Sequence, residues 1–285
     1  EDLVMPSFIS TGGIKNISCV DFAEQLFSMG YTNIELSGGA YDADFERKLF
    51  ALKARGAEIT LHNYIPFLDD PYVLNLASPR SDVVEKTIKH IKKALELSAR
   101  VGARRYAFHA GYLIDPRPAE LGKRISARAI ENREYALSRF SDNVRKLSEY
   151  ASSLGVFLLV ENNVISHNNY NEFGSNPLLL CDPDEIAAFF DTVDCDVGLL
   201  LDVAHLKVSC KTLDLDLEDS LSKVQRFIKG LHLSDNDGFA DQNLSINSKA
   251  WFWGKLKKYD YRVLEVYNYK KDIFDDQLAL VEKYL

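Results

Sequence analysis

The chain has 285 residues, 46% of them hydrophobic, with 34 Lys and Arg against 42 Asp and Glu and a formal net charge of −8. That composition excludes a disordered or fibrous chain and supplies enough apolar side chains for a large core. The acidic balance disfavours non-specific adhesion to nucleic acid or anionic lipid, and no apolar run approaches the ~20 residues that span a bilayer.

Short apolar runs rich in β-branched or aromatic residues alternate with longer segments of helical period. A first strand is expected over 7–10, then a helix opened by the cap-like Ser18-Cys19-Val20-Asp21 and stopped at Gly30. A strand over 33–36 precedes a helix over 44–56, and a strand over 58–62 precedes one over 81–102. A strand over 105–109 leads to the longest expected helix, over about 126–155. The run Val156-Phe157-Leu158-Leu159-Val160 begins a strand over 156–161, and Asp182-Pro183 opens the fifth helix. Strands over 197–202, 230–233 and 261–266 follow, with helices near 216–229, 247–258 and 272–284. Continuous apolar runs mark strands buried on both faces, hence a parallel sheet covered by helices. Eight β-then-α units in this length favour one closed (β/α)₈ TIM barrel over 1–285.

Cys19, Cys181, Cys195 and Cys210 form no C-x-x-C pair. Free, mostly buried thiols in a reducing compartment are expected. No signal peptide opens the sequence, so the expected location is cytoplasmic.

Active sites of such barrels are built at the strand C-termini. There the apolar runs end on polar residues: Glu35, His62, His109, Glu161, Asp202, His232 and Glu265. His205 follows Asp202 by three positions, whereas His90 is expected on an exposed helix face and His167 in a loop. A lone strand-terminal Glu can cap a helix or pair with Lys, and a lone His is more often a satisfied structural residue. Seven such residues on one barrel face are different, because their carboxylates repel unless a cation neutralises them.

Specific stretches sit in order at these strand ends: Leu61-His62-Asn63-Tyr64-Ile65-Pro66-Phe67, Leu74-Asn75-Leu76-Ala77-Ser78-Pro79, Phe108-His109-Ala110-Gly111, Val160-Glu161-Asn162, Leu201-Asp202-Val203-Ala204-His205, Leu231-His232-Leu233-Ser234-Asp235 and Leu264-Glu265-Val266. With them the sequence resembles the xylose-isomerase-like barrel superfamily, from about residue 59 to 267. That superfamily includes sugar isomerases, ketose epimerases, inositol-pathway isomerases and dehydratases, and the apurinic endonuclease IV family. The resemblance implies Glu161, Asp202, His232 and Glu265 as ligands of one divalent metal ion. Three carboxylates and one imidazole suit Mn, Mg or Co and can hold Zn. It also implies Glu161 and Glu265 as the proton-transfer pair and His205 as a substrate contact. His62, His109 and Glu35 are further candidate substrate contacts.

In the endonuclease branch His62, His109 and Glu161 would instead share a second metal. Asp241 would match another ligand of a three-zinc cluster, but Asn243 stands where that branch carries a histidine. The leading expectation is therefore an isomerase or epimerase of a sugar, sugar phosphate or polyol. It would work by proton transfer through a metal-stabilised enediolate on a small-molecule substrate. A zinc phosphodiesterase acting on abasic DNA is the alternative, and a non-catalytic barrel the least favoured. Nucleic acid and membrane partners are not expected, and a homo-oligomer is left open.

Tyr64, Phe67, Tyr112, Trp251 and Trp253 are candidates to stack on a sugar ring, with loop packing the blander role for each. Arg117, Lys123, Arg124 and Arg128 form a basic segment that either binds an anionic substrate group or is a solvated face. The Asn-rich stretch 162–180 is long enough for a lid.

Overall fold

The computed structural model describes residues 7–67 and 70–285. Residues 1–6, 68 and 69 of the expected single domain lie outside the described residues. Eight parallel strands close a barrel in chain order: β1 (Phe8–Ser10), β2 (Asn33–Leu36), β3 (Glu58–His62), β4 (Arg105–His109), β5 (Phe157–Glu161), β6 (Val197–Asp202), β7 (Ile228–Leu233) and β8 (Arg262–Leu264). The helices are α1 (Cys19–Ser28), α2 (Phe45–Ala54), α3 (Ser81–Val101), α4 (Arg133–Ser153), α5 (His167–Phe173), α6 (Pro183–Thr192), α7 (Val203–Leu213), α8 (Leu217–Val224) and α9 (Lys271–Tyr284). None of the described helices is long and apolar enough to cross a membrane.

Local chemistry explains the helix ends. Ser18 Oγ accepts the Asp21 amide at 3.1 Å, and Asp182 accepts that of Asp184 at 2.8 Å. Gly102 ends α3 at φ 75°, in the left-handed region that favours glycine. The main core lies between strands and helices.

Inside the barrel, inward positions recur every second residue. Ala107, Leu159, Leu200, Tyr261 and Val263 pack there as an apolar layer, bounded by Phe8 and Phe157. Two residues further along each strand the inward position turns polar: His109 after Ala107, Glu161 after Leu159, Asp202 after Leu200, Glu265 after Val263. The same period that fills the barrel floor thus lifts the polar set to its mouth.

Several expectations are corrected. α4 begins at Arg133 rather than near 126, because the Asn132 side chain caps it by accepting the Tyr135 amide at 3.1 Å. It is 21 residues long, no longer than α3. Residues 247–258 form turns rather than a helix, although Ala250, Phe252 and Leu256 are buried there. The helix expected over 216–229 stops early, and β7 takes over at Ile228. α5 and α7 lie where no helix was expected. His90 is buried rather than exposed. Its Nε2 lies 3.1 Å from the Asn63 carbonyl, which also accepts the Tyr106 hydroxyl at 2.6 Å. All four cysteines are free, three of them buried.

The long β4–α4 connection is held at Glu120. Its carboxylate accepts the Arg117 amide at 2.8 Å, the Ser126 amide at 3.1 Å and the Arg128 guanidinium at 2.5 Å. Burial alone would raise its pKa, but these three donors outweigh it and hold the group at about 2. A carboxylate depressed in the folded state stabilises the fold above its ordinary value of 4.5 and loses that contribution as pH falls toward 2. Wild type and Glu120→Gln are therefore expected to differ in melting temperature at neutral pH, with the gap closing between those pH values. A gap that stays constant across the window would remove this role from Glu120.

Candidate metal centre at the barrel mouth

Strand register brings the polar set together. His109 of β4 pairs with Glu161 of β5, and Asp202 of β6 pairs with His232 of β7. Ligand atoms of Glu161, Asp202, His232 and Glu265 lie within 4.8 Å of one another. So do those of His62, His109 and Glu161, and those of Glu35, His62 and His232.

Glu161 is central to both of the first two groups. Its Oε2 lies 3.1 Å from His62 Nε2 and 3.6 Å from His109 Nε2. Its Oε1 lies 3.4 Å from His205 Nδ1 and 3.5 Å from His232 Nδ1. Both oxygens are buried, yet neither has a hydrogen-bond partner. Asp202 divides its carboxylate between two tasks. Oδ1 caps α7 by accepting the Ala204 and His205 amides at 2.7 and 2.8 Å, while Oδ2 is buried without a partner. Asn162 fixes the Asp202 backbone, accepting its amide at 2.8 Å and donating to its carbonyl at 3.1 Å. Glu265 receives the Tyr267 hydroxyl on Oε1 at 3.0 Å and lies 3.2 Å from His232 Nδ1 through Oε2.

The imidazoles are oriented from behind. His205 Nδ1 lies 2.9 Å from the Asn162 carbonyl, which can only accept, so Nδ1 carries the hydrogen. His205 Nε2 then faces Asp241 Oδ2 at 3.2 Å. His232 Nε2 lies 3.1 Å from Glu35 Oε2.

Crowded buried carboxylates distort the titration of these side chains. Burial, reinforced by Glu265, Glu161 and Asp241, pushes Asp202 up to about 8 despite His205 beside it. Burial opposes charging of His205 and His232, but the carboxylates around each overcome it and push both well above the ordinary imidazole range. Burial pushes His109 down to about 4, so it is neutral at physiological pH. Buried carboxylate oxygens without partners, converging with an imidazole, fit a divalent cation.

A 360 Å³ cavity opens over this centre, with His109, His205 and Asp241 among its lining. Tyr64 and Tyr112 also line it, whereas Glu35 and His62 do not. Trp253 stacks on Tyr284 at 5.0 Å, away from the mouth, and Trp251 and Phe67 pack against the core. Of the basic segment, Lys123 and Arg124 reach the cavity, and Arg124 is engaged by Glu172 at 2.6 Å. The Asn-rich stretch is a pinned structure. Asn163 donates to the carbonyls of Ala110, Gly111 and Leu179, and Asn169 ties the Lys123 carbonyl and the Ile125 amide. The Asn75–Ser78 stretch pins the loop after β4: Asn75 donates to the Tyr112 and Ile114 carbonyls, and Ser78 to Asp115. Asn243 adopts φ 47°, and its carbonyl accepts the Tyr267 amide at 3.0 Å.

Sequence reading missed Asn162, Tyr261 and Tyr267 as partners of the centre. A Tyr two residues after Glu265 was the available signal for Tyr267. Asn162 lies in the stretch Val160-Glu161-Asn162 that carries the family resemblance, and nothing local marks Tyr261.

The profile described as xylose isomerase-like TIM barrel matches residues 23–277. No curated protein matches the chain in sequence. Among solved structures, a protein from Thermus thermophilus soaked with ZnCl2 is 22% identical, with 98% of this chain and 99% of that chain covered and a TM-score of 0.63. A D-tagatose 3-epimerase-like protein is 19% identical, with 95% and 98% covered and a TM-score of 0.65. The apo form of 3-keto-D-glucoside 4-epimerase from E. coli is 14% identical, with 98% and 99% covered and a TM-score of 0.65. At these identities the likeness establishes the shared fold.

Proposed function

We propose that this chain, which belongs to the xylose isomerase-like TIM barrel family, is a divalent-metal-dependent isomerase or epimerase acting on a sugar, sugar phosphate or polyol. The observation that carries the reading is the convergence of Glu161, Asp202, His232 and Glu265 at the mouth, with three of their carboxylate oxygens buried and unpartnered. The epimerase and epimerase-like proteins that share its fold support the same class.

These four residues would hold one Mn, Mg, Co or Zn ion, and His62 and His109 with Glu161 offer a place for a second. Such an ion supplies polarisation of a carbonyl and its neighbouring hydroxyl. The chain's own side chains do the rest. Glu161 and Glu265 take and return the proton α to the carbonyl. The Tyr267 hydroxyl on Oε1 of Glu265 restrains that carboxylate and leaves Oε2 toward the centre. Neutral His109 and the Nε2 of His205 face the cavity as contacts for substrate hydroxyls, and Tyr64 and Tyr112 narrow its wall.

The test is deuterium incorporation from D₂O into a panel of ketoses and ketose phosphates by metal-replete protein. Incorporation at the carbon beside the carbonyl is the expected result. The His62, His109 and Glu161 group is the observation that favours the second reading, a metallo-phosphodiesterase. Cleavage of an abasic duplex by the same preparation, with no incorporation across the panel, would put that reading in place of the first.

A further inference from the structure

We propose that Tyr261 and Glu35 are positioning residues, a buried Tyr261–Glu35–His232 chain that fixes the His232 tautomer and thereby sets how tightly the mouth holds its cation. The proposal rests on the metal-centre reading and adds residues outside the four proposed ligands.

Tyr261 stands just before β8 and is 2% exposed. Its ring crosses the apolar barrel floor, edge-on to Phe8 at 5.5 Å and with the Arg105 guanidinium 5.6 Å from its centre. Space for the ring comes from Gly230 of β7: a Cβ there would lie 2.7 Å from Tyr261 Cδ1 and 3.1 Å from Leu200 Cδ1. The hydroxyl therefore reaches the polar layer, 2.8 Å from Glu35 Oε2 and 3.2 Å from Thr60 Oγ1. A carboxylate only accepts, so Tyr261 donates to Glu35 and receives the Thr60 hydroxyl.

Glu35 is fully buried, behind His232. The oxygen that accepts Tyr261 also lies 3.1 Å from His232 Nε2. Glu35 Oε2 also receives Tyr261, so as an acceptor it holds a hydrogen on His232 Nε2 and leaves Nδ1 as the ring nitrogen turned toward the cation site. His232 Nδ1 lies 3.2 Å from Glu265 Oε2 and 3.5 Å from Glu161 Oε1, with no hydrogen bond. Nδ1 is thus the nitrogen that would bind a cation lodged between these two carboxylates. A carboxylate behind a histidine that orients its ring toward a metal is a general device, and its loss typically costs 10–100-fold in metal affinity. Here the carboxylate is itself held by a tyrosine anchored in the barrel floor.

The experiment measures Zn²⁺ and Mn²⁺ affinity by chelator competition on the full chain, together with the melting temperature of metal-stripped protein. Tyr261→Phe keeps the ring and removes the donor; Glu35→Gln keeps the volume and removes the charge. Both are expected to bind metal roughly 10–100-fold more weakly, with the metal-stripped melting temperature of Tyr261→Phe near that of wild type. Gly230→Ala, which crowds the ring from outside the centre, is expected to weaken binding in the same direction. Unchanged affinity in Tyr261→Phe and Glu35→Gln overturns the proposal, as does a loss of thermal stability with affinity intact. Ring ¹⁵N shifts of His232, read at a pH high enough to leave the ring neutral, give an independent reading: hydrogen on Nε2 in wild type and a mixed tautomer in Glu35→Gln. If wild-type protein takes up neither ion, the metal-centre reading falls. The tautomer shift then still decides the chain, for it if Glu35→Gln moves the shift and against it if not.

Discussion

Asp202→Asn is expected to leave the protein folded with α7 capped and unable to retain the cation proposed for the barrel mouth. The two oxygens of Asp202 do separate work, and the substitution divides them. Oδ1 accepts two backbone amides at the start of α7, at 2.7 and 2.8 Å. Asn caps a helix about as well as Asp, so its carbonyl oxygen can keep that bond pair. Oδ2 is buried among Glu161, Glu265 and His205 with no hydrogen-bond partner, and an amide nitrogen in its place cannot bind a metal. Loss of a direct ligand should weaken metal binding by roughly 100-fold or more, beyond the range for residues that only support one. Asp202→Ala adds the loss of the cap, about 1 kcal/mol, and should melt lower than Asp202→Asn. Elemental analysis after purification without chelator reads the first effect, and thermal denaturation without metal reads the second. An Asn variant that carries as much metal as wild type would show that Asp202 is no ligand.

The double duty of Asp202 also explains what was legible in the sequence. The strands could be read because burial on both faces makes continuous apolar runs, and a polar residue closing such a run stands out. Residues 33–36, 58–62, 105–109 and 197–202 were expected as strands and match β2, β3, β4 and β6. α7 was hidden because Asp202 reads as the end of a strand, although it is also the helix cap. α5 was hidden in a stretch of asparagines, residues that compete with helix geometry through their own side chains. Their side chains pin neighbouring loops here, which single-sequence periodicity cannot register. The reverse error fell on 247–258, where apolar residues at helical spacing are buried by consecutive turns. In the site, ligand-type residues were legible from strand ends because register converts sequence order into proximity. Their supports were not. Tyr261 meets Glu35 across 226 residues of chain, and only the closed barrel brings β8 beside β1 and β2.

Glu161→Gln and Glu265→Gln are expected to abolish conversion of substrate while the barrel stays folded. Each replacement keeps the side chain's shape and removes its capacity to hold a proton. Acid–base groups of this kind contribute roughly 10²–10⁴-fold to rate, so conversion should fall at least that far at saturating metal. The two variants should differ in metal affinity. Glu161 belongs to two of the three candidate metal groups and has two unbonded oxygens, so its loss should weaken binding more. Glu265 has one oxygen occupied by the Tyr267 hydroxyl at 3.0 Å, which the amide oxygen of Gln can still accept, leaving one ligand position altered. Deuterium exchange then separates metal loss from loss of the base. With one carboxylate removed, the other can still exchange the proton it faces, so a variant supplied with metal should wash deuterium into one substrate isomer and not its product. Exchange from both isomers, undiminished in both variants, would remove Glu161 and Glu265 from the proton path. Wild-type conversion with no exchange at all would point instead to hydride transfer between carbons, a reaction in which the two carboxylates hold the ion and move no proton.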